Sequence, residues 1–246
     1  MTHPETSPGF FGKVTTHGDF VSRRLPTAFL SVWDSWLQYS VQQSRETLGQ
    51  EWLNIYLSSP IWRFALAPGV CGVSGWAGIL MPSVDRVGRH FPLTIAAALP
   101  DDRALVDWIQ GSKGWYDEIE GLALSSLDSS FSLQGFDLQL AGLAIAPSLT
   151  GFAPRSQQGL SSSPRRPQGS CVPITDITQA GAAAAEFQEN TGLASFHQYS
   201  MWWTDGSPRV DPCFLAGPNL PLHASFAAML DGEWAQHGWA VGLVSA

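Results

Sequence analysis

The stretch "SVDRVGRHFPLT", Ser83–Thr94, places Asp85, Arg86, Arg89 and His90 within six positions. "GWAGILMP" (Gly75–Pro82) runs before it, and "FPLTIAAALP" begins at Phe91. Continuous apolar runs of this length read as strands covered on both faces. The polar insert is too short for a crossover, so the spacing predicts an antiparallel hairpin. Pro82 and Pro92 have no N–H to give to a ladder and belong at strand ends or a bulge. The insert itself is then either a solvated turn or a presented site.

Upstream, "IWRFALA" (61–67) is a further strand and "GFFGKV" (Gly9–Val14) a short one. His17-Gly18-Asp19 has the chemistry of a tight bend. "SVWDSWLQYSVQQSRETLG" (Ser31–Gly49) is read as a helix capped by Ser31, with Asp34 near its positive end. Val32, Trp33, Trp36, Leu37, Val41 and Leu48 fall largely on one face, and Gly49 stops it. "EWLNIYL" (51–57) adds a short second helix.

Downstream, residues 101–127 read as helical with a break at Gly111–Gly114, Asp101 and Asp102 favouring the N-terminus. "GFAPRSQQGLSSSPRRPQG" (151–169) has almost nothing to bury and reads as a loop. Beyond it come an Ala-rich helix (180–190), a strand "FHQYSMWWT" (196–204) and a helix over 223–237. Neighbours on a strand face opposite ways, so Trp202 and Trp203 are assigned to packing in two layers rather than to ligand stacking. The expected fold class is α/β (α+β), a central mixed, largely antiparallel sheet sandwiched between helices. One domain over 1–246 is expected, with a core at 9–145 and the portion 170–246 packing onto it.

Hydrophobic residues make up 44% of the 246 and charged ones 14%, against about 25% charged in an ordinary soluble domain. With 11 Trp and 13 Phe, the interior should be aromatic-heavy. A net charge of -8 argues against sequence-independent binding of nucleic acid or anionic lipid. The N-terminus has no basic segment leading into an apolar one, and no apolar run reaches the ~18 residues of a membrane span. Cys71, Cys171 and Cys213 read as free thiols, so a cytoplasmic location is expected.

Charge is unevenly spread. Residues 1–100 hold seven Lys/Arg against six Asp/Glu, whereas residues 170–246 hold one against seven. The glycine-rich "GVCGVSG" (69–75) lies between two strands instead of opening a helix, so a turn is preferred to a phosphate loop. The six His lack ligand spacing, and no cofactor or metal is implied. His17/Asp19 and Asp85/His90 are acid–base pairs only if their turns meet, and no activated nucleophile accompanies them. Arg23, Arg24, Arg86 and Arg89 are four of the seven basic residues in the first hundred, with Asp19 and Asp85 nearby to fix an arginine fork. These six form the candidate partner-binding patch, with a purely structural role for the two aspartates left open.

The blocks "GFFGKV…GDFVSRRLP", "WDSWLQ", "WLNIYLSSPIWRFAL" and "GILMPSVDRVGRHFPLT", in this order, resemble the type VI secretion-associated TagF family. The resemblance is clearest over 9–100 and extends through "SMWWTDGS" and "FAAMLDGEW". It implies a non-enzymatic, cytoplasmic, post-translational repressor of a type VI secretion system. The implied partner is the forkhead-associated scaffold Fha, and no catalytic residues are implied. Self-association stays open. A small-molecule or phosphopeptide-binding regulator using the same arginines is the alternative.

Overall fold

The computed structural model describes residues 7–100, 105–143, 145, 169–191 and 198–242. The apolar runs form strands β4 (Trp76–Met81) and β5 (Leu93–Ala98), paired antiparallel with Met81 opposite Leu93 and Trp76 opposite Ala98. Pro82 and Pro92 lie just outside the two strands, where no ladder hydrogen bond is lost. Around this hairpin, nine strands among the described residues form one sheet of order β2-β1-β5-β4-β3-β7-β8-β6-β9. The others are β1 (Gly9–Gly12), β2 (Val21–Arg23), β3 (Trp62–Leu66), β6 (Ser170–Pro173), β7 (Tyr199–Thr204), β8 (Cys213–Pro218) and β9 (Ala240–Val241). Every pairing is antiparallel except that of β6 with β9, so the sheet is mixed and largely antiparallel.

Helices cover both faces. On one lies α1 (Thr27–Leu48), which buries Phe29, Trp33, Trp36, Leu37 and Val41, with α2 (Trp52–Leu57) following it. On the other lie α3 (Leu105–Gly111), α4 (Lys113–Ser125) and α5 (Leu133–Gly142), joined by α6 (Ala180–Thr191). Trp202 and Trp203 show the two-sidedness directly. Trp202 is stacked on Trp33 of α1 with ring centroids 5.9 Å apart and packs on Phe64 at 5.2 Å. Trp203 meets Tyr116 of α4 edge-on at 4.9 Å. Each ring buries roughly 150–250 Å², so at ~25 cal/mol per Å² it contributes about 4–6 kcal/mol gross. The indole N–H groups are satisfied: Trp33 donates to Thr94 Oγ1 (2.8 Å), Trp36 to the Pro221 carbonyl (2.7 Å) and Trp202 to Ser200 Oγ (3.0 Å).

The pairing of β3 with β7, Phe64 opposite Trp202, joins strands from the two halves of the chain in one ladder. Arg63 sits beside that seam. It is almost fully buried and is held by Asp117 and Glu120 of α4, so an ion pair ties the helix to the sheet.

Several elements differ from the sequence reading. α1 starts at Thr27, not Ser31, and Ser31 lies inside it with its hydroxyl donating to the Ala28 carbonyl (3.3 Å). Asp34 is therefore in the second turn, and Val32 is exposed rather than on the inward face. Pro26 is the N-cap: its backbone is extended (ψ 153°), and its carbonyl accepts the amides of Phe29 and Leu30 (each 3.0 Å), which starts the helix at Thr27. The helix expected over 223–237 is broken into a 3-10 turn at His223–Ser225 and the one-turn α7 (Ala228–Asp231), ended by Gly232 at φ 81°. Strands β2, β6, β8 and β9 and helix α5 carry no clear period or run in the sequence. Asp101, Asp102 and residues 151–168 lie outside the described residues, so the expected helix start and loop have no structural account. Among the described residues no helix is long and apolar enough to cross a membrane.

Trp202→Ala removes the ring shared by α1, β3 and β7. It is expected to destabilise the fold by about 3–5 kcal/mol, read as a lowered guanidinium midpoint at unchanged slope.

Candidate functional site

The loop between β4 and β5 is organised around one carboxylate. Asp85 is 3% exposed, and its Oδ1 accepts the backbone N–H of Val87 (3.0 Å) and of Arg89 (2.9 Å). Its Oδ2 accepts Lys13 Nζ at 2.6 Å and Arg89 Nε at 2.7 Å. The Asp85 amide donates to the Arg89 carbonyl and the Gly88 amide to the Asp85 carbonyl, each at 3.0 Å, closing a tight turn. Gly88 takes φ 85° there, a conformation that costs a side-chain-bearing residue about 1 kcal/mol or more. Burial acts to raise the pKa of the Asp85 carboxyl, but the hydrogen bonds from Lys13, Arg89 and Val87 outweigh it. They hold the group well below the ordinary carboxylate range.

Lys13 follows β1 directly and is itself buried. Its position depends on Gly12, whose φ of 139° and close approach to the Pro92 carbonyl leave no room for a Cβ. The Ser83 hydroxyl donates to the Lys13 carbonyl (2.7 Å), and Tyr56 Oη of α2 donates to the Ser83 carbonyl (3.0 Å). The loop is thus anchored to β1 and to α2 at once. It also docks on the bend at His17-Gly18-Asp19: the Arg86 amide donates to the His17 carbonyl (3.0 Å), and the Arg89 guanidinium bonds the Gly18 carbonyl. Asp19, fully exposed, stands 3.8 Å from Arg89.

These contacts settle where each candidate residue lies. Asp19, Asp85, Arg86 and Arg89 come together, Asp85 inside and the others outside. Arg23 and Arg24 lie at the far end of the β1–β2 hairpin. Arg23 is exposed and opposite Phe10, whose ring packs on Phe136 of α5 at 5.1 Å, so it belongs to the α5 side. Phe11 faces the other way, stacked on Phe20 at 5.5 Å and edge-on to Phe91 at 6.0 Å, and Lys13 shares its side. Arg24 adopts φ 56° and is tied by the Pro8 carbonyl (2.9 Å) and by an ion pair with Asp137 of α5. The six residues therefore form a loop cluster and a separate hairpin end.

Two nearby cations carried no signal in the sequence. Lys13 is one. The other is Arg45 on α1, exposed, with its guanidinium 4.2 Å from the Trp52 ring centre. His90 lies edge-on to Trp52 (5.8 Å) and Tyr56 (5.9 Å). Burial first, and then the charge of Arg45, hold its imidazole below the ordinary value, while Asp85 pulls the other way. Thr16 Oγ1 holds His17 Nδ1 at 3.0 Å. Both Asp85 oxygens are occupied, so it has no lone pair aimed at a substrate proton. "GVCGVSG" is the turn between β3 and β4, with Gly69 donating to the Gly72 carbonyl (2.8 Å). Among the described residues no cluster of three or more His, Cys, Asp or Glu is arranged to hold a metal ion.

A three-layer α+β protein that presents a carboxylate-braced arginine loop is the class these observations define. The family described as TagF N-terminal domain, type VI secretion system-associated, matches residues 9–143, which include the whole loop cluster. The match covers more than half of the chain, and the chain belongs to the TagF family. A crystal structure of PA0076 from Pseudomonas aeruginosa PAO1 is similar at 36% identity and a TM-score of 0.71, over 92% of this chain and 95% of that one. No curated protein matches the chain.

Asp85→Asn removes the charge that balances buried Lys13. Its melting temperature is expected to fall on the order of 10 °C, while Asp19→Asn, at a fully exposed position, leaves it unchanged. The folded pKa of Asp85 lies below the unfolded value of about 3.9. Its contribution is therefore complete above that pH and lost as pH falls toward the folded pKa. Acid unfolding followed by circular dichroism should accordingly show a shallower acid limb in Asp85→Asn.

Proposed function

We propose that this TagF-family chain regulates a type VI secretion system by binding, without catalysis, and holds back a cytoplasmic component of it. The forkhead-associated scaffold Fha is the partner we propose. The family match places the chain in the secretion context. The observation that carries the binding mode is the fixed Asp85 loop, which spends its one buried carboxylate on internal bracing and leaves Arg86 outside with no carboxylate partner among the described residues. A loop held at four hydrogen bonds loses little conformational freedom when a partner docks, which favours recognition. Asp19, Arg86 and Arg89 make the contact surface in this reading, and Asp85 supports it from below. Arg23 and Arg24, at the α5 end, lie outside the contact.

Affinity capture of Fha with the full chain tests this. Wild-type protein retains Fha, and Arg86→Glu, a change at an exposed position, loses most of it. Arg86→Ala/Arg89→Ala, verified as folded by circular dichroism, loses it as well. Retention of Fha by both folded variants rules this loop out as the docking surface. In cells, the same variants should release secretion that overproduced wild-type protein represses.

A further inference from the structure

The loop does not stand alone on its side of the molecule. Arg45 over Trp52, His90 edge-on to Trp52, Asp85 five residues before His90, Lys13 on Asp85, and Phe20 beneath Lys13 at 4.5 Å form one contiguous series. A lone antiparallel bridge between Val84 and His90 fixes the centre of that series. Lys13 and Asp85 are buried and offset each other, and of the exposed charges in the series Arg45, Arg86 and Arg89 stand against Asp19, a locally positive surface on a chain of net charge -8. Arg45 and Arg86 have no ion pair among the described residues. Apolar groups punctuate the same surface. Phe20 is 48% exposed although its ring is fixed against Phe11 and Phe91, and Val87 at the loop tip is 65% exposed.

From this, we infer that the surface running from Phe20 over the Asp85–Arg89 loop to Arg45 binds an acidic protein segment, rich in Asp and Glu and carrying an apolar side chain. The inference deepens the regulatory reading above and rests on it for the identity of the surface, adding Arg45 and Phe20 and the chemistry of the partner. Complementarity is the argument. Unpaired guanidiniums attract carboxylates in bidentate geometry, and the fixed, half-exposed aromatic ring offers an apolar seat at one end of the surface. A basic or neutral segment would meet the same cations without compensation.

Fluorescence anisotropy of a labelled poly-glutamate peptide containing one tryptophan, titrated with the full chain at low salt, reads this out. Binding is expected, weakening as salt rises. Arg45→Ala and Arg86→Ala should each weaken it roughly three- to tenfold, and Phe20→Ser should remove the preference for the tryptophan-containing peptide over poly-glutamate alone. Arg23→Ala is the internal control, since that arginine lies on the α5 side and should leave affinity unchanged. Equal loss in Arg23→Ala, no binding of the peptide, or binding only of a phosphorylated peptide overturns the inference. Fha capture separates the two readings: loss of Fha by Arg86→Glu without any peptide binding overturns the acidic-segment inference alone.

Discussion

The carboxylate of Asp85 accepts four donors while nearly all of it is shielded from water, and a charge in that position persists only when every lone pair is matched. The matching donors come from three places: Lys13 after β1, two amides of the loop itself, and the Arg89 side chain. Satisfying one group therefore fixes the height of β1 against β5, the path of the loop, and the direction of Arg89 together. Ser83 and Tyr56 extend the same constraint to α2. The outer surface inherits its rigidity from this buried point. The Arg86 backbone is tied to the His17 carbonyl while its side chain is exposed.

A second constraint acts through the sheet. Strands β3, β4 and β5 are buried along their whole length, so helices must cover both faces, and the indoles set how close those helices come. Trp33 and Trp36 reach Trp202 from one side, while Tyr116 reaches Trp203 from the other. The two coverings are chemically different. The α1 side is almost wholly aromatic at its centre, whereas the α4 side includes Arg63 with Asp117 and Glu120. Burying the Arg63 guanidinium costs desolvation that its partly exposed carboxylate partners offset, so the pairing adds less net stability than apolar packing would. Its geometric demand is stricter, and it places α4 at one angle and depth on β3.

Much of this was legible in the residues. The β4–β5 hairpin, the prolines flanking it, the inward stripe of α1, the stop at Gly49 and the break between α3 and α4 follow from period, apolar run length and glycine placement. The opposite orientations of Trp202 and Trp203 follow from strand period alone. What escaped was short or edge-like. β2 and β6 have three and four residues, and "SCVP" ends in a residue that cannot donate. β8, "CFLAGP", contains Gly and Pro and is a strand because β7 and β6 flank it, which no local preference reveals. The 223–237 segment has a helical period, but Gly232 in the left-handed region ends the helix after one turn. Ser31 looked like a cap because serine caps are common, whereas Pro26 was the real boundary. In the site, an aspartate bracing an arginine was readable from Asp85 and Arg89, four residues apart. Lys13, its strongest partner, lies 72 residues away, and Arg45 joins only because α1 crosses the sheet. Composition groups Arg23 with the loop, whereas strand period assigns it to the opposite face.

In the proposed reading, an acidic chain must still attract anions locally at the loop. At physiological salt the Debye length is about 8 Å, so distant carboxylates of the 170–246 portion are screened from the loop. Only charges within the cluster govern an approaching side chain. There, Asp85 is already neutralised by Lys13, and Arg89 divides its donors between Asp85 and Gly18, with Asp19 at its margin. Arg86 and Arg45 are left as the groups whose charge is least compensated. Burying the brace rather than exposing it gives this result: a carboxylate at the surface would cancel the guanidiniums it positions, while one beneath them holds the loop and leaves their outward faces exposed.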